Sequence, residues 1–239
     1  MSQNRNRENV TEEWYRDYYH KLGHDRNDLL SNPEVLYQHL ATEDSVLSAL
    51  RVATLDRKRS KILDVGCAGG GSLARFLGLK FRSSNLYGID IQQDRIIEGS
   101  ALYPNMKLIC GDATSMPYES SFFDLCLEST MFVQLTDDEF AKEIANEMLR
   151  VTCAGGYILL IDWRYSKPWD PNYLGLSSKR IKKLFEVGDV TDLIYKSKGA
   201  LVPPAGRFLS KYAPALYFLV RGLCPFLAGQ RSVLLRKRG

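Results

Sequence analysis

Apolar and polar residues are patterned in two different ways along this chain, and the pattern changes about a quarter of the way along it. Before the change, large apolar side chains recur every third or fourth residue, the spacing of one helix face. Trp14, Tyr18 and Leu22 form one such row, with Tyr15 and Tyr19 beside it. This spacing predicts an aromatic helix close to the start of the chain.

More helices are predicted before residue 60. Asn32 and Pro33 are typical of a helix start, because asparagine caps free backbone N–H groups and proline suits the first turn. Val35, Leu36, His39 and Leu40 then share one face, and the residues from 46 to 53 indicate a separate helix. Residues 1–60 therefore form a predicted N-terminal helical cap.

From Lys61 onward, short apolar runs alternate with helical patterns. The clearest helix runs from Thr136 to Val151, where Thr136 and Glu139 suggest a capping box. Alternation of this kind is typical of right-handed βαβ units and a parallel sheet. We predict an α/β fold over residues 61–239, with a Rossmann-like, mostly parallel seven-stranded sheet and helices on both faces. The strands are predicted at 62–65, 86–89, 107–110, 122–127, 157–163, 191–197 and 232–236.

A segment of proline, glycine and large apolar side chains separates the last two predicted strands, at about 199–230. Its apolar run is too short to span a bilayer. We interpret it as a helical insertion that packs on the core. The alternative is peripheral contact with a membrane or with a lipid-linked substrate.

Composition narrows the class of protein. Apolar residues make up 45% of the 239 residues, enough for a sizeable core. The net charge of +4 is well below that of a dedicated nucleic-acid binder, so we expect no nucleic-acid partner. The five cysteines are odd in number and lack the spacing of metal ligands. We therefore expect a reducing, cytoplasmic location and no metal.

The first candidate site is a glycine-rich turn. A buried strand, Ile62 to Val65, runs into Gly66-Cys67-Ala68-Gly69-Gly70-Gly71, and a predicted helix follows. Glycines let the backbone approach a ligand closely, and a helix N-terminus offers unpaired N–H groups. This arrangement predicts a nucleotide-like ligand.

Two acidic residues extend this site. Asp90 ends the next strand, about twenty residues beyond the turn, where a carboxylate can accept both hydroxyls of a ribose. Asp112 ends the following strand and could accept a hydrogen bond from an adenine amino group, with the Ala113 N–H donating to the ring. The turn and both acids fall at the carboxyl ends of parallel strands, where open α/β sheets bind ligands.

This ordered set resembles the class I S-adenosylmethionine (SAM)-dependent methyltransferases, in particular the small-molecule branch related to the ubiquinone and sterol enzymes. The resemblance covers roughly residues 60–165. It implies SAM as cofactor and transfer of a methyl group by in-line displacement. Ala68 stands where the family usually has glycine. The cofactor contacts suggested by the turn, the strand ends and the resemblance are Asp64, Gly66, Cys67, Ala68, Gly70, Asp90, Ile91, Asp112, Ala113, Glu128 and Tyr19.

The acceptor side carries weaker signals. A base is needed where the acceptor is a hydroxyl that must lose its proton, and Asp162 and His24 are the candidates. Trp163, Arg164 and Tyr165 follow the fifth strand and are predicted to bind the substrate. The aromatic start and the proline-rich tail are similar to methyltransferases of bacterial surface-polysaccharide pathways. That similarity implies a small-molecule or sugar acceptor.

Two other functions stay open. The spacing Gly66-x-Ala68-x-x-Gly71 also suits a dinucleotide turn, as in an NAD-dependent oxidoreductase. The second is a non-catalytic SAM-binding protein, because the acids indicate cofactor binding but not turnover. The acceptor, the atom methylated and the oligomeric state are not determined by the sequence.

Overall fold

A seven-stranded sheet forms the centre of the computed structural model, which describes residues 24–167 and 169–239. The strands are β1 (Ile62–Val65), β2 (Leu86–Asp90), β3 (Lys107–Cys110), β4 (Phe123–Ser129), β5 (Thr152–Trp163), β6 (Thr191–Lys198) and β7 (Gln230–Lys237). The α-helices in the described part are α1 (Pro33–Leu50), α2 (Gly71–Gly78), α3 (Gln93–Leu102), α4 (Asp138–Val151), α5 (Ser178–Leu184), α6 (Pro203–Tyr212) and α7 (Tyr217–Leu223).

The strand order is β3-β2-β1-β4-β5-β7-β6. Strands β1 to β5 are parallel, and β7 is antiparallel to both β5 and β6. The predicted Rossmann-like, mostly parallel fold is confirmed. Because β1 to β4 run in the same direction, their carboxyl ends meet at one edge of the sheet, and that edge holds the candidate site.

Apolar layers cover both faces of the sheet. On one face, Leu73 and Phe76 of α2 and Val46 of α1 pack against the strands. On the other, Ile144 of α4 and Ile181 of α5 lie in the larger core cluster. Burial on both faces explains why the central strands are nearly continuous apolar runs in the sequence.

The N-terminal region differs from its prediction. A single helix, α1, replaces the two helices predicted between residues 32 and 53, because no glycine or proline interrupts the chain between them. Asn32 caps it as expected, accepting a hydrogen bond from the Glu34 N–H at 3.0 Å. The predicted apolar face is wrong in part, since Leu36 and Leu40 are exposed. The predicted aromatic helix, including Tyr19, lies outside the described residues.

The start of α4 also differs. Asp137, rather than Thr136, caps the helix, and its carboxylate accepts hydrogen bonds from the N–H groups of Glu139 and Phe140. A carboxylate at this position also interacts favourably with the positive end of the helix dipole. The predicted capping box of Thr136 and Glu139 is therefore wrong, and the cap lies one residue later.

The insertion before β7 contains α6 and α7, as predicted. It packs against α1: the Ser210 hydroxyl accepts a hydrogen bond from the Tyr37 N–H at 3.2 Å, and the Tyr217 hydroxyl donates to the Gln38 side chain. Among the residues that the structure describes, no helix combines the length and the apolar character needed to cross a bilayer.

Candidate cofactor site

A cleft of about 750 Å³, partly open to solvent, lies at the carboxyl ends of β1 to β4. Its walls come from the glycine-rich turn, from the ends of β2 and β3, and from the segment between β4 and α4. The lining residues are Gly66, Ala68, Ile89, Asp90, Ile91, Gln92, Gly111, Asp112, Ala113, Ser129, Thr130, Met131, Gln134, Leu135, Phe140 and Ile144.

The glycine-rich turn depends on left-handed backbone conformations. Gly66 has φ +74°, and a Cβ there would lie 2.9 Å from the Met131 sulfur, so glycine is strongly favoured. Ala68 has φ +46° at the position where the resemblance leads one to expect glycine. Left-handed alanine is strained by about 1–2 kcal/mol. The turn tolerates the methyl group but stores strain beside the cleft.

Asp90 is fixed at the edge of this turn. Its carboxylate accepts hydrogen bonds from the Ala68 N–H at 2.7 Å and from the Gln92 N–H at 2.9 Å. Burial raises the pKa of Asp90, while these backbone hydrogen bonds act in the opposite direction. Each oxygen keeps a free lone pair for a hydroxyl donor, so this carboxylate can accept from a ribose.

Asp112 is fixed in a similar way on the next strand. Its two oxygens accept hydrogen bonds from the Thr114 N–H at 2.8 Å and the Thr114 hydroxyl at 2.5 Å. Asp112 and Ala113 line the cleft together with Ile91. The structure thus brings six of the predicted contacts into one cleft: Gly66, Ala68, Asp90, Ile91, Asp112 and Ala113.

Asp64 lies at the start of the turn, with only 1% of its surface exposed. Neither carboxylate oxygen has a hydrogen-bond partner among the described residues. Burial raises its pKa well above the ordinary value, Arg75 lowers it, and the nearby Glu128 and Asp90 raise it further. An unpartnered buried carboxylate is costly, so a positively charged or donating ligand group at this end of the turn would stabilise it.

Three predicted cofactor contacts near the turn do not line the cleft, namely Asp64, Cys67 and Gly70. Cys67 is buried with its thiol packed against Gly88 of β2. Gly70 is the N-cap of α2, with φ +79°, and its N–H donates to the Cys67 carbonyl at 2.8 Å. Cys67 and Gly70 hold the turn in shape, because the thiol packs against β2 and the Gly70 N–H is used within the turn.

The predicted roles of Glu128 as a cofactor contact and of Asp162 as a base are also wrong. The Glu128 carboxylate accepts from the Met131 and Ile161 N–H groups, both at 3.0 Å. The Asp162 carboxylate accepts from the Val133 N–H at 2.8 Å and from its neighbouring Trp163 N–H at 2.6 Å. Both side chains are buried on the α4 and α5 face of the sheet and neither lines the cleft. Asp162 therefore does not serve as a base there.

These two carboxyl groups brace the segment that follows β4. Burial raises the pKa of Glu128 to about 7. Burial, together with the nearby charge of Glu128, raises the pKa of Asp162 well above the ordinary value. Two adjacent buried carboxyl groups favour a protonated form of at least one. Their backbone hydrogen bonds fix Met131, at the wall of the cleft, and the buried Val133 behind it.

Arg180 anchors the same segment from the other side. Four cations, Lys179, Arg180, Lys182 and Lys183, lie close together in α5, as on a solvent-facing side of a helix, but Arg180 is only 7% exposed. Its guanidinium donates to the carbonyls of Phe132 at 2.9 Å and Leu135, and forms an ion pair with Asp138 at 2.9 Å. A helical pattern of four cations could not show that one of them turns inward.

The predicted substrate residues contact the insertion, not the cleft. Arg164 donates to the carbonyls of Pro225 and Phe226 at 2.9 and 3.0 Å, and the Tyr165 hydroxyl donates to Phe226 at 2.7 Å. Trp163 packs against the insertion near its return to β7. For His24, the structure describes the backbone, in a 3₁₀ turn over His24–Asn27, but not the side chain.

The wall of the cleft beyond β4 was not among the predicted site residues. Ser129, Thr130 and Gln134 supply polar groups there, beside Met131 and Leu135. Thr130 has φ +64°, a strained conformation for a β-branched residue. The position of the segment after a predicted strand pointed to the cleft, but no sequence signal marks a left-handed threonine.

Comparison with known proteins adds the family information. Residues 62–156 match the family described as a methyltransferase domain. A "Probable tocopherol O-methyltransferase" of Oryza sativa subsp. japonica is 28% identical over 51% of this chain and 34% of its own length. The ajmaline N-methyltransferase of Rauvolfia serpentina is 27% identical over 66% of this chain and 52% of its own length. The chain thus spans between about a third and about half of these relatives.

A solved structure shows the same fold. A SAM-dependent methyltransferase from Methanosarcina mazei superposes with a TM-score of 0.54 at 16% identity, covering 77% of this chain and 94% of that one. Residues 62–156, which match the methyltransferase-domain family, contain the glycine-rich turn, Asp90 and Asp112, the residues that converge on the cleft. Residues 62–156 are therefore similar to a methyltransferase domain, and the sheet that contains them has the fold of the Methanosarcina mazei protein.

Proposed function

We propose that this chain is a SAM-dependent methyltransferase that transfers a methyl group to a small-molecule or glycan acceptor, at a hydroxyl oxygen. The observation that carries the proposal is the convergence of Ala68, Asp90 and Asp112 in one cleft at the carboxyl edge of the sheet. The match of residues 62–156 to a methyltransferase domain supports it.

The described residues fit SAM in three places. Asp90 would accept the ribose hydroxyls, and Asp112 with Ala113 would hold the adenine. Gly66 leaves space in the cleft wall, because a side chain there would collide with Met131. The orphaned Asp64 carboxylate suits the ammonium group of the methionyl part, because such a pair would remove the cost of an unpartnered buried acid.

The chemistry asks little of the protein beyond positioning. SAM supplies a methyl group on a positively charged sulfur, which is already a good leaving group. The residues of the cleft then have to hold the acceptor atom in line and exclude water. Met131, Leu135 and Phe140 contribute apolar surface for the second task.

The acceptor side of the cleft supports a hydroxyl-bearing molecule. Ser129, Thr130 and Gln134 offer uncharged groups that both donate and accept hydrogen bonds, as alcohol recognition requires. By their names, the two relatives act at oxygen and at nitrogen, so the proposal of an oxygen acceptor rests on the residues that line the cleft. His24 remains the predicted base. The aromatic-rich start and the tail support a surface-polysaccharide pathway.

The sheet topology separates this proposal from a dinucleotide oxidoreductase. Dinucleotide-binding sheets have the strand order 3-2-1-4-5-6. Here β7 inserts between β5 and β6 in the antiparallel sense. The spacing Gly66-x-Ala68-x-x-Gly71 is also found in dinucleotide-binding turns, but the strand order of the sheet here differs from that of dinucleotide-binding enzymes.

Label transfer tests the proposal. The purified protein is incubated with SAM radiolabelled in the methyl group and with lipid, glycan, small-molecule, nucleic-acid and protein fractions of a cell extract. We expect label in the small-molecule or glycan fraction, and loss of that label with the Asp90→Asn variant. Label mainly in nucleic acid or protein would overturn the acceptor class. Binding of SAM without transfer to any fraction would leave a non-catalytic SAM-binding protein.

A further inference from the structure

The charge of this chain is unevenly distributed. All 28 acidic residues lie at or before Asp192, whereas nine of the 32 lysine and arginine residues follow it. The last 47 residues therefore carry only positive side-chain charge, and they contain the whole insertion between β6 and β7. Such an asymmetry favours an anionic partner at this end of the chain.

The same insertion exposes large apolar side chains. Phe208 and Tyr212 lie one turn apart on α6, with their ring centroids 5.3 Å apart. Leu219 and Leu223 lie one turn apart on α7. Scattered exposed apolar residues are normal, but a cluster of them marks an interaction surface. Six such residues, with exposed fractions between 48 and 74%, are Phe208, Tyr212, Leu216, Leu219, Leu223 and Phe226. We call these six residues the insertion surface.

Positive charge flanks the insertion surface. Arg207 and Lys211 contact Glu34 of α1, and Arg221 forms an ion pair with Asp44, so their charge is partly offset. Lys198 differs, because it is exposed and, among the described residues, its ammonium group contacts the Gly222 carbonyl of α7; Lys196, also exposed, contacts the Ser178 hydroxyl of α5. A surface that combines leucine and aromatic side chains with a lysine free of an acidic partner among the described residues suits the boundary between headgroups and acyl chains.

The insertion lies at the same edge of the sheet as the cleft. Gln230, where the insertion ends, pairs with Trp163 at the carboxyl end of β5. Arg164 and Tyr165, directly after β5, hold the carbonyl of Phe226. A surface that contacts the insertion would therefore contact the protein on the side where the cleft opens.

We propose that the insertion surface docks on an anionic phospholipid bilayer. The occupant is a lipid surface and not an apolar protein groove, because the six side chains project from two short helices and the turns beside them, and cations without any acidic residue accompany them in the insertion. Anionic lipids attract such lysines by about 1 kcal/mol each near the membrane. This inference goes beyond the proposed methyl transfer and does not depend on it.

Vesicle co-sedimentation tests the docking. The full-length protein is mixed with vesicles of equimolar phosphatidylglycerol and phosphatidylcholine, and separately with pure phosphatidylcholine. We expect binding to the anionic vesicles that falls as salt is added, and much weaker binding to the neutral ones. The triple variant Phe208→Ser, Leu219→Ser, Leu223→Ser should lower the partition coefficient at least about tenfold, since these side chains are exposed and the fold does not need them.

A matched control separates this surface from general stickiness. Ile97 and Leu102 of α3 are 61 and 71% exposed, outside the insertion. The double variant Ile97→Ser, Leu102→Ser should bind the anionic vesicles like the wild type. Absence of wild-type binding to anionic vesicles, or equal losses in both variants, would overturn the proposal. A concentration-dependent dimer that the triple variant abolishes would assign the surface to a second copy of the chain instead.

Discussion

The strained Thr130 gives a prediction in which stability and activity move in opposite directions. A left-handed conformation costs a side chain with a Cβ about 1–2 kcal/mol. Replacing Thr130 with glycine removes that cost but adds about 0.5–1 kcal/mol of backbone entropy on folding. The Thr130 N–H keeps its hydrogen bond to the Ile161 carbonyl, at 2.9 Å, in the variant. We expect a net stabilisation of about 0.5–1 kcal/mol.

The same change should impair methyl transfer. Thr130 sets the direction of the chain where it leaves β4 for the wall of the cleft, and its side chain lines that wall. Glycine would let this segment sample other directions and would remove a hydroxyl from the acceptor side. Small misplacements of a bound substrate cost up to about a hundredfold in rate. We expect kcat to fall between about tenfold and a hundredfold.

Two measurements and one control check this reasoning. Urea denaturation gives the free energy of unfolding, and a melting scan should show a rise of about 1–4 °C in Tm. Label transfer to the active acceptor fraction gives kcat. Ser121 is exposed, has φ +59° and lies outside the cleft, so Ser121→Gly should gain similar stability and leave kcat unchanged. A Thr130→Gly variant that is less stable than wild type, or equally active, would refute the argument.

Three further predictions concern the turn and its supports. Asp90→Asn should weaken binding of S-adenosylhomocysteine, measured by calorimetry, by about tenfold to a hundredfold. The amide has only one acceptor oxygen, whereas two backbone N–H groups and the ribose hydroxyls all need an acceptor. As a control, Asp94→Asn, at an exposed position in the next helix, should bind like wild type. Gly70→Ala should lower the free energy of unfolding by about 1–2 kcal/mol in urea denaturation, since φ is +79° there; an unchanged value would contradict this. Glu128 binds its proton more tightly when folded, with a pKa of about 7, than when unfolded. The free energy of unfolding should therefore fall as the pH rises from about 4.5 to about 7. This pH dependence should become weaker in Glu128→Gln. An unchanged pH dependence in that variant would assign the effect to Asp162 instead.

The sequence predicted the parts of the fold that repeat a simple physical pattern. Alternating apolar runs and helical stripes were enough for the sheet and the insertion, and Asn32 before Pro33 was enough for the start of α1. The cap of α4 was predicted wrongly at Thr136, because the adjacent Asp137 also suits the position and the geometry of the chain decides between them.

The candidate site was predictable as far as strand ends determine it. Ala68, Asp90 and Asp112 meet because parallel strands end at one edge, a consequence of topology alone. Asp162 also ends a strand, yet its side chain points beneath the surface, where backbone N–H groups hold it. Depth below the surface depends on the packing of residues distant in sequence, and so does the inward turn of Arg180.

Direct titration of the purified full-length protein with S-adenosylhomocysteine and with NADH, by calorimetry, tests the central claim. The turn, Asp90 and Asp112 are expected to bind one molecule of S-adenosylhomocysteine per chain, with no saturable heat from NADH. Saturable binding of NADH and none of S-adenosylhomocysteine would contradict the account and would assign the cleft to a dinucleotide.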